Sequence, residues 1–298
     1  MSSRVARALR SGRPVVALES SVLAQGLPRP ANAEAADRML QAVTAAGAVP
    51  AITAVVRGTP AAGLDVPDLR RFLSLDGIPK VSARDLATAV ATGSDGATTV
   101  AAALVLAHRA GIAVFATGGI GGVHRGGGYD ESADLVELSR TPVVVVCAGP
   151  KAILDVAATA ERLESLGVTV VGFRTDTMPA FYTIKSAIPV TRVESVAEVA
   201  TIYAAHRALD RPGAVLVVQP PPAATALPVA AVERAVGKGL RAAARSRVRG
   251  GAVTPFLLRS VAAATRGRSL TANLALLESN ARLAAEIAVA VTLARNNR

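Results

Sequence analysis

The tightest constraint on how this chain folds is a set of short, wholly apolar runs that show no polar alternation. The clearest is VVVVCA at 143–148, four consecutive valines and a cysteine. A strand with one wet face alternates apolar and polar residues, whereas a strand covered on both faces does not, and such strands belong to parallel sheets packed between helices. Similar runs at 14–18, 51–57, 113–117, 169–173 and 214–219 alternate with alanine-rich stretches of helical spacing at 32–46, 86–91, 99–110 and 152–165. Arginine-rich helix over 233–249 and a long final helix over 271–293 follow. This order predicts an α/β fold, a three-layer α/β/α body with a mostly parallel central sheet. Ligands in such sheets collect at the carboxyl ends of the strands. No Gly/Ser linker and no repeat divides the chain, and QPPPAATALP at 219–228 reads as a loop leaving a strand, so one domain is expected over 1–298.

Composition narrows the functional classes. With 51% hydrophobic residues, 298 residues can bury a core of enzyme size. One cysteine, Cys147, excludes an internal disulfide and fits a reducing compartment, and MSSRVARALRSGRP lacks the apolar centre of a signal peptide, so a cytoplasmic protein is expected. No uncharged apolar run reaches the roughly 20 residues that span a bilayer, so no membrane partner is expected. The formal charge of +11 suits a nucleic acid, a phosphorylated substrate or an arginine-rich proteome, but 3% aromatics and no tryptophan remove the stacking platforms of a single-strand binder.

Several motifs could carry chemistry. FATGGIGGVHRGGGYD at 115–130 fails G-x-G-x-x-G because His124 stands where the last glycine belongs, and no G-K-[ST] closes a P-loop. What remains is a strand-end loop whose backbone can approach a ligand, with His124 and Arg125 able to meet an anion, or simply a long turn. Asp130, Glu131 and Asp134 could together hold one hard divalent cation, or could be ordinary acids at a helix start. Glu19 ends the strand RPVVAL and is an acid/base candidate or a helix cap. Lys80 stands near a helix start in PKVSARDL, in a phosphate seat or as a solvated surface lysine. Cys147, His108 and His206 read as structural. Lys151 follows Gly149 and Pro150 where the helix over 152–165 should begin, against the usual electrostatic preference of a helix N-terminus. There its neutral amine would be favoured, a nucleophile able to form a Schiff base, unless the ammonium merely pairs with Asp155.

Taken together, ALESSVLAQGLPRP, VPAITAVVRG, KVSARDL, GATTVAAALVLA, VFATGGIGGVHRG, DESADLVEL, VCAGPKAILD, TDTMPAFYTIKSA, TPFLL and SLTANLALLESNA resemble the pseudouridine-5'-phosphate glycosidase family, also called indigoidine synthase A-like. The motifs run in family order from about residue 14 to residue 290. The resemblance implies a three-layer α/β/α fold, a homotrimer, a divalent metal, usually Mn2+, and a small phosphorylated nucleoside as substrate. Its reaction is reversible cleavage of the C–C bond between uracil C5 and ribose C1', giving uracil and ribose 5-phosphate. By matching motif positions, the resemblance makes Lys151 the Schiff-base lysine, Glu19 the proton donor and Asp130 the metal ligand. It places Lys80, Val100, Ser132, Ala133 and Asp134 at the substrate, with His124 and Asn273 as further contacts to the sugar-phosphate and base.

This implied chemistry gives the misplaced lysine a purpose. A C-glycoside has no exocyclic heteroatom for an acid to protonate, so the ordinary glycosidase route is closed. Protonation of the ring oxygen by Glu19 as Lys151 adds at C1' opens the ribose instead. Many relatives have Asn-Pro-Ile-Pro where this chain has Gln219-Pro220-Pro221-Pro222, Ser-Gly at Ser186-Ala187 and an apolar residue at Glu131. These departures leave open a relative that makes C-glycosides in secondary metabolism. From the residues alone, RNA or DNA binding through the arginines of 234–249 and a sugar kinase are the competing classes.

Overall fold

The computed structural model describes residues 1–126, 130–248 and 253–296. Gly127, Gly128 and Tyr129 of the glycine-rich motif, and Arg249 of the expected arginine-rich helix, lie outside the described residues. The central strands are β1 (Val15–Leu18), β2 (Val49–Val56), β6 (Val114–Ala116), β8 (Val144–Cys147), β10 (Thr169–Phe173), β11 (Thr191–Val193) and β12 (Val215–Val218). They are joined by β3 (Thr59–Ala62), β4 (Lys80–Val81) and β5 (Gly96–Thr98) in a ten-stranded sheet of order β11-β10-β12-β8-β6-β1-β2-β5-β4, with β3 added on β2. Pairing is parallel from β11 through to β2; β5 and β3 run antiparallel to β2, and β4 runs parallel to β5.

The unalternating valines are explained by two cores, one on each face. Val144 and Val146 of β8 pack with Val16, Leu18, Val114, Val215 and Val217 on one side. Val145 and Cys147 pack with Val15, Ala17, Phe115, Leu216 and Val218 on the other. Successive strand residues thus point into opposite apolar layers. The first face is covered by α2 (Ala31–Ala45), α8 (Val196–Ala208), α9 (Val229–Arg245), α10 (Val253–Ala264) and α11 (Arg268–Asn296). The second is covered by α1 (Ser3–Arg10), α5 (Val100–Arg109), α6 (Ala133–Leu138) and α7 (Val156–Ser165). Helices α3 (Val66–Ser74) and α4 (Leu86–Ala91) flank the β5 and β4 end of the sheet. No described helix is long and apolar enough to cross a membrane.

One expected boundary is wrong, and it bears on the site. The helix after β8 does not begin at residue 152 beside Lys151; α7 begins at Val156, with Asp155 as its N-cap accepting from Ala158 N at 3.0 Å. The intervening Leu154 and Asp155 form β9 (Leu154–Asp155), which pairs with β7 (Val123–His124) in a two-stranded antiparallel ribbon. A capping aspartate outweighs alanine spacing at a helix start, because its carboxylate satisfies an otherwise orphaned amide. Lys151 is therefore not at a helix terminus, and the dipole reason for a neutral amine does not apply.

Asp134 ties three of these segments together. Its Oδ1 accepts from Ala101 N in the first turn of α5 at 2.9 Å, and its Oδ2 accepts from Gly121 N in the glycine loop at 2.8 Å. The side chain is buried. Gly121 is needed here, since a Cβ would stand 2.2 Å from Ser132 Oγ and 2.7 Å from Asp134 Oδ2. Replacing Asp134 by Asn turns one of these acceptors into a donor facing an N–H, so D134N should lower stability by about 2 kcal/mol, measured by urea denaturation.

Candidate active site

The sheet reverses its winding between β1 and β6: the chain proceeds from β1 to β2 on one side and from β6 to β8 on the other. Such a switch point opens a crevice at the carboxyl ends of the strands. Glu19 leaves β1 there, Gly118 and Gly119 leave β6, and Lys151 follows β8. A cavity of about 50 Å³ at this point is lined by Glu19, Ser21, Gln25, Lys80, Lys151 and Asn273, among others, with Thr254 and Leu258 of α10 on its wall. Four of the expected site residues, Glu19, Lys80, Lys151 and Asn273, thus meet in one place although they are spread from residue 19 to residue 273.

Glu19 is buried, and both its oxygens are held: Thr117 Oγ1 donates a short hydrogen bond to Oε1, and Ser21 Oγ donates to Oε2 at 2.6 Å. Beneath it, buried hydroxyls lock the ends of β1, β2 and β5, with Thr98 Oγ1 donating to Thr53 O at 2.8 Å and Ser20 Oγ accepting from Thr98 N at 2.9 Å. The carboxylate is thereby aimed by a rigid polar floor rather than capping a helix.

Lys151 is placed by pairing that outlasts the strands. Ile120 N donates to Gly149 O at 3.1 Å, and Lys151 N donates to Ile120 O at 3.1 Å, so the exits of β6 and β8 remain side by side. Gly149 has φ of +80°, and a Cβ on it would lie 2.1 Å from Pro179 O, so only glycine makes this turn. The pairing of Lys151 with Asp155 that helical spacing suggests does not form: the Asp155 carboxylate caps α7 instead.

Lys80 enters from the sheet's antiparallel margin. It begins β4, but β4 and β5 run opposite to β2, so the start of β4 lies at the same edge as the ends of the parallel strands. The residue is exposed overall, yet it also lines the cavity. Crowding by protein lowers its pKa from 10.5, and the nearby Lys151 charge lowers it further, against the opposing pull of Asp134 and Glu19.

The remaining expected site residues do not line this cavity. The three-carboxylate cation site dissolves: Asp134 is spent on backbone amides, and Glu131 pairs with Arg162 at 2.8 Å. Among the described residues no group of three or more His, Cys, Asp or Glu converges on a metal position. Asp130 alone keeps an exposed carboxylate, with His124 Nδ1 2.8 Å from its Oδ2 but out of hydrogen-bond alignment. Arg125 is not free to meet an anion, because it forks onto Glu233 at 2.6 and 2.8 Å and caps the carbonyls of Leu154 and Ala152. Ser132 serves as N-cap of α6, accepting from Asp134 N at 3.2 Å, with Ala133 the first residue of that helix. Val100 opens α5 and is buried in the core. Cys147 is structural: burial pushes its thiol up to about 12. His206 is buried against Gly213 O at 2.7 Å. Sequence reasoning missed Ser21 and Gln25 as cavity groups and Thr117 as a partner of Glu19, and only the two serines after Glu19 carried a signal.

A doubly wound sheet with a buried acid and two lysines at its switch point defines an enzyme site suited to covalent chemistry on a carbonyl or masked carbonyl. The family model described as indigoidine synthase A like protein matches residues 4–290, and the chain belongs to that family. A protein of Gemmatimonas aurantiaca named pseudouridine-5'-phosphate glycosidase is 59% identical, over 97% of this chain and 95% of that protein. One of Roseiflexus sp. with the same name is 53% identical, over 98% and 95%. Among solved structures, the prealnumycin C-glycosynthase AlnA in complex with ribulose 5-phosphate superposes with a TM-score of 0.92 at 42% identity, covering 100% of this chain and 98% of that one. An indigoidine synthase A-like protein of Thermotoga maritima gives a TM-score of 0.89 at 40% identity, with 94% of each chain covered.

Below its native pKa Lys80 is charged whether folded or not. Between that value and 10.5 the unfolded chain keeps a proton the native chain has released, so this group makes stability rise with pH across the window. In an NMR titration of methylated lysines, K151M should raise the Lys80 pKa toward 10.5, by removing a like charge, and E19Q should lower it further.

Proposed function

We propose that this protein reversibly cleaves the C–C glycosidic bond of pseudouridine 5'-phosphate, giving uracil and ribose 5-phosphate through a Schiff base on Lys151. The observation that carries the reading is the meeting of Glu19, Lys80 and Lys151 in one cavity at the switch point. The names of the relatives support the same substrate. The Lys151 amine attacks C1' while the C1'–O4' bond breaks, and Glu19 delivers its proton to O4'. The open-chain sugar is then joined to Lys151 through C–N and to the base through C1'–C5. The secondary ammonium so formed returns a proton to the Glu19 carboxylate, which passes it to C5; the nitrogen lone pair then forms C=N, and the electrons of C1'–C5 pass into the pyrimidine ring. Water adds to the imine and releases ribose 5-phosphate and the amine. Lys80, held close by, supplies positive charge for the anionic sugar-phosphate. Thr117 and Ser21 keep the Glu19 carboxyl on the ring-oxygen side.

The Asp130 carboxylate, a hard oxygen donor with its neighbours Glu131 and Asp134 otherwise engaged, fits a hydrated divalent cation, and Asp130 would hold Mn2+ there. Such an ion would supply charge neutralisation for an anionic substrate. The protein acts as one catalytic unit, as the sheet running from residue 15 to residue 218 and the packing of α11 on it favour. We assign it to the cytoplasm as a homotrimer, with no nucleic-acid or membrane partner; its lone, buried thiol suits a reducing compartment. The likeness to a C-glycosynthase favours a second reading, the same steps run toward C–C bond formation with another aromatic acceptor.

Borohydride added with ribose 5-phosphate should leave a reduced adduct on Lys151, located by peptide mass mapping. K151A should abolish the adduct and turnover, and E19Q should slow turnover about 10²–10⁴-fold. An adduct on another lysine, or turnover surviving K151A, would remove the mechanism.

A further inference from the structure

Asn280, on α11, is 1% exposed and does not line the strand-end cavity, yet its whole amide is engaged at the exit of β6. Its Nδ2 donates to Thr117 O at 2.8 Å and to Gly118 O at 3.2 Å, and its Oδ1 accepts from Gln219 Nε2 at 2.8 Å. The amide can point only this way, because the two carbonyls can only accept and an Oδ1 turned toward them would set three oxygens against one another. Gln219, just past β12, must then present its NH2 group, so it locks the Asn280 amide from the far side. These bonds do not duplicate the sheet ladder. Thr117 N donates to Val146 O at 3.0 Å and Ala148 N donates to Gly118 O at 3.0 Å, but no backbone amide among the described residues takes Thr117 O. Asn280 completes the pairing of β6 where the regular ladder stops.

Thr117 is the residue whose hydroxyl donates to Glu19 Oε1. Its amide bond to Val146 fixes its backbone on one side and the Asn280 clamp fixes it on the other, so the direction of its Cα–Cβ bond is set. A β-branched side chain then has little freedom left at χ1. Ser21, the second donor to the Glu19 carboxyl, stands on the chain leaving β1 and does not depend on β6. On the reading that Glu19 is the acid, we infer that Asn280, locked by Gln219, is a positioning residue: it holds the β6 exit so that Thr117 keeps the Glu19 carboxyl aimed at the ring oxygen. Asn280 acts only through Thr117. It reaches this point from the same face of α11 as Asn273, about two turns away, so one helix supplies both a cavity residue and the clamp behind it.

The test measures kcat and KM for cleavage of pseudouridine 5'-phosphate, followed by ultraviolet absorbance, in the native protein, N280L, T117V and the N280L/T117V double variant. Expected results are a kcat lowered about tenfold in each single variant, as loss of an aiming hydrogen bond predicts, with KM within about twofold of native. Because both changes act on one contact, the double variant falls no further than the slower single one, and N280L adds nothing in an E19Q background. A loosened fold would instead lower turnover by the same factor in every background. Q219M removes the locking donor at similar volume and leaves Asn280 itself in place; it should lower kcat about threefold and is run through the same cycles, so the inference is decided even where N280L does not fold. Native kcat in N280L or Q219M, or losses that multiply in the double variants, overturns the inference. An E19Q protein that turns over as fast as native defeats the acid reading instead.

Discussion

A parallel sheet with apolar cores on both faces leaves polar chemistry only one kind of place, the ends of its strands. Everything functional in this chain follows from that restriction. Val144 to Cys147 are wholly buried, so the first residues able to meet a polar ligand are those just past the strand. Glu19, Thr117 and Lys151 all occupy such positions, after β1, β6 and β8. The switch in winding between β1 and β6 leaves the cavity among these exits.

The electrostatics of the crevice follow from what the strands deliver to it. Two lysines and one glutamate share a small volume, and the balance is felt at Lys80, where crowding by protein and the neighbouring Lys151 outweigh the pull of Asp134 and Glu19. Asp134 contributes at a distance while its own oxygens are committed to backbone amides of α5 and the glycine loop. A structural carboxylate therefore also shapes the field at the site. The Lys151 amine owes its position to backbone pairing between Ile120 and Gly149 and to a glycine turn, with no helix dipole involved.

None of the departures named above lines the cavity that holds Glu19 and Lys151. Gln219 Nε2 donates to Asn280 Oδ1 at 2.8 Å, and Asn280 Nδ2 donates to Thr117 O at 2.8 Å, so the altered residue still supports the strand exit that carries Thr117. Glu131 is spent on Arg162. Ala187 lies beside a separate groove with Arg125 and Glu233, and its neighbour Ser186 donates to Met178 O at 2.6 Å.

By itself the sequence determined the layered α/β class, most of the central strands and the helices at 31–45, 86–91 and 100–109, because burial on two faces and helical spacing are written in local residue order. Through its long motifs it also pointed to the family, and the resemblance singled out Glu19 and Lys151, which the fold brings to one cavity. Tertiary structure decided the rest. The start of α7 moved past Lys151 because a ribbon pairing with Val123 and His124 and an aspartate cap override alanine propensity. Asp130, Glu131 and Asp134 look like one cluster in sequence, yet Glu131 pairs with Arg162, Asp134 accepts from backbone amides and Asp130 stays exposed once β7 and α6 are in place. Lys80 reaches the site only because β4 and β5 run against the parallel strands. Gln25, just after β1, and Asn273, on α11, line one cavity only in the folded chain. Local order encodes which surfaces must be buried; it does not encode which distant groups are left facing one another when they are.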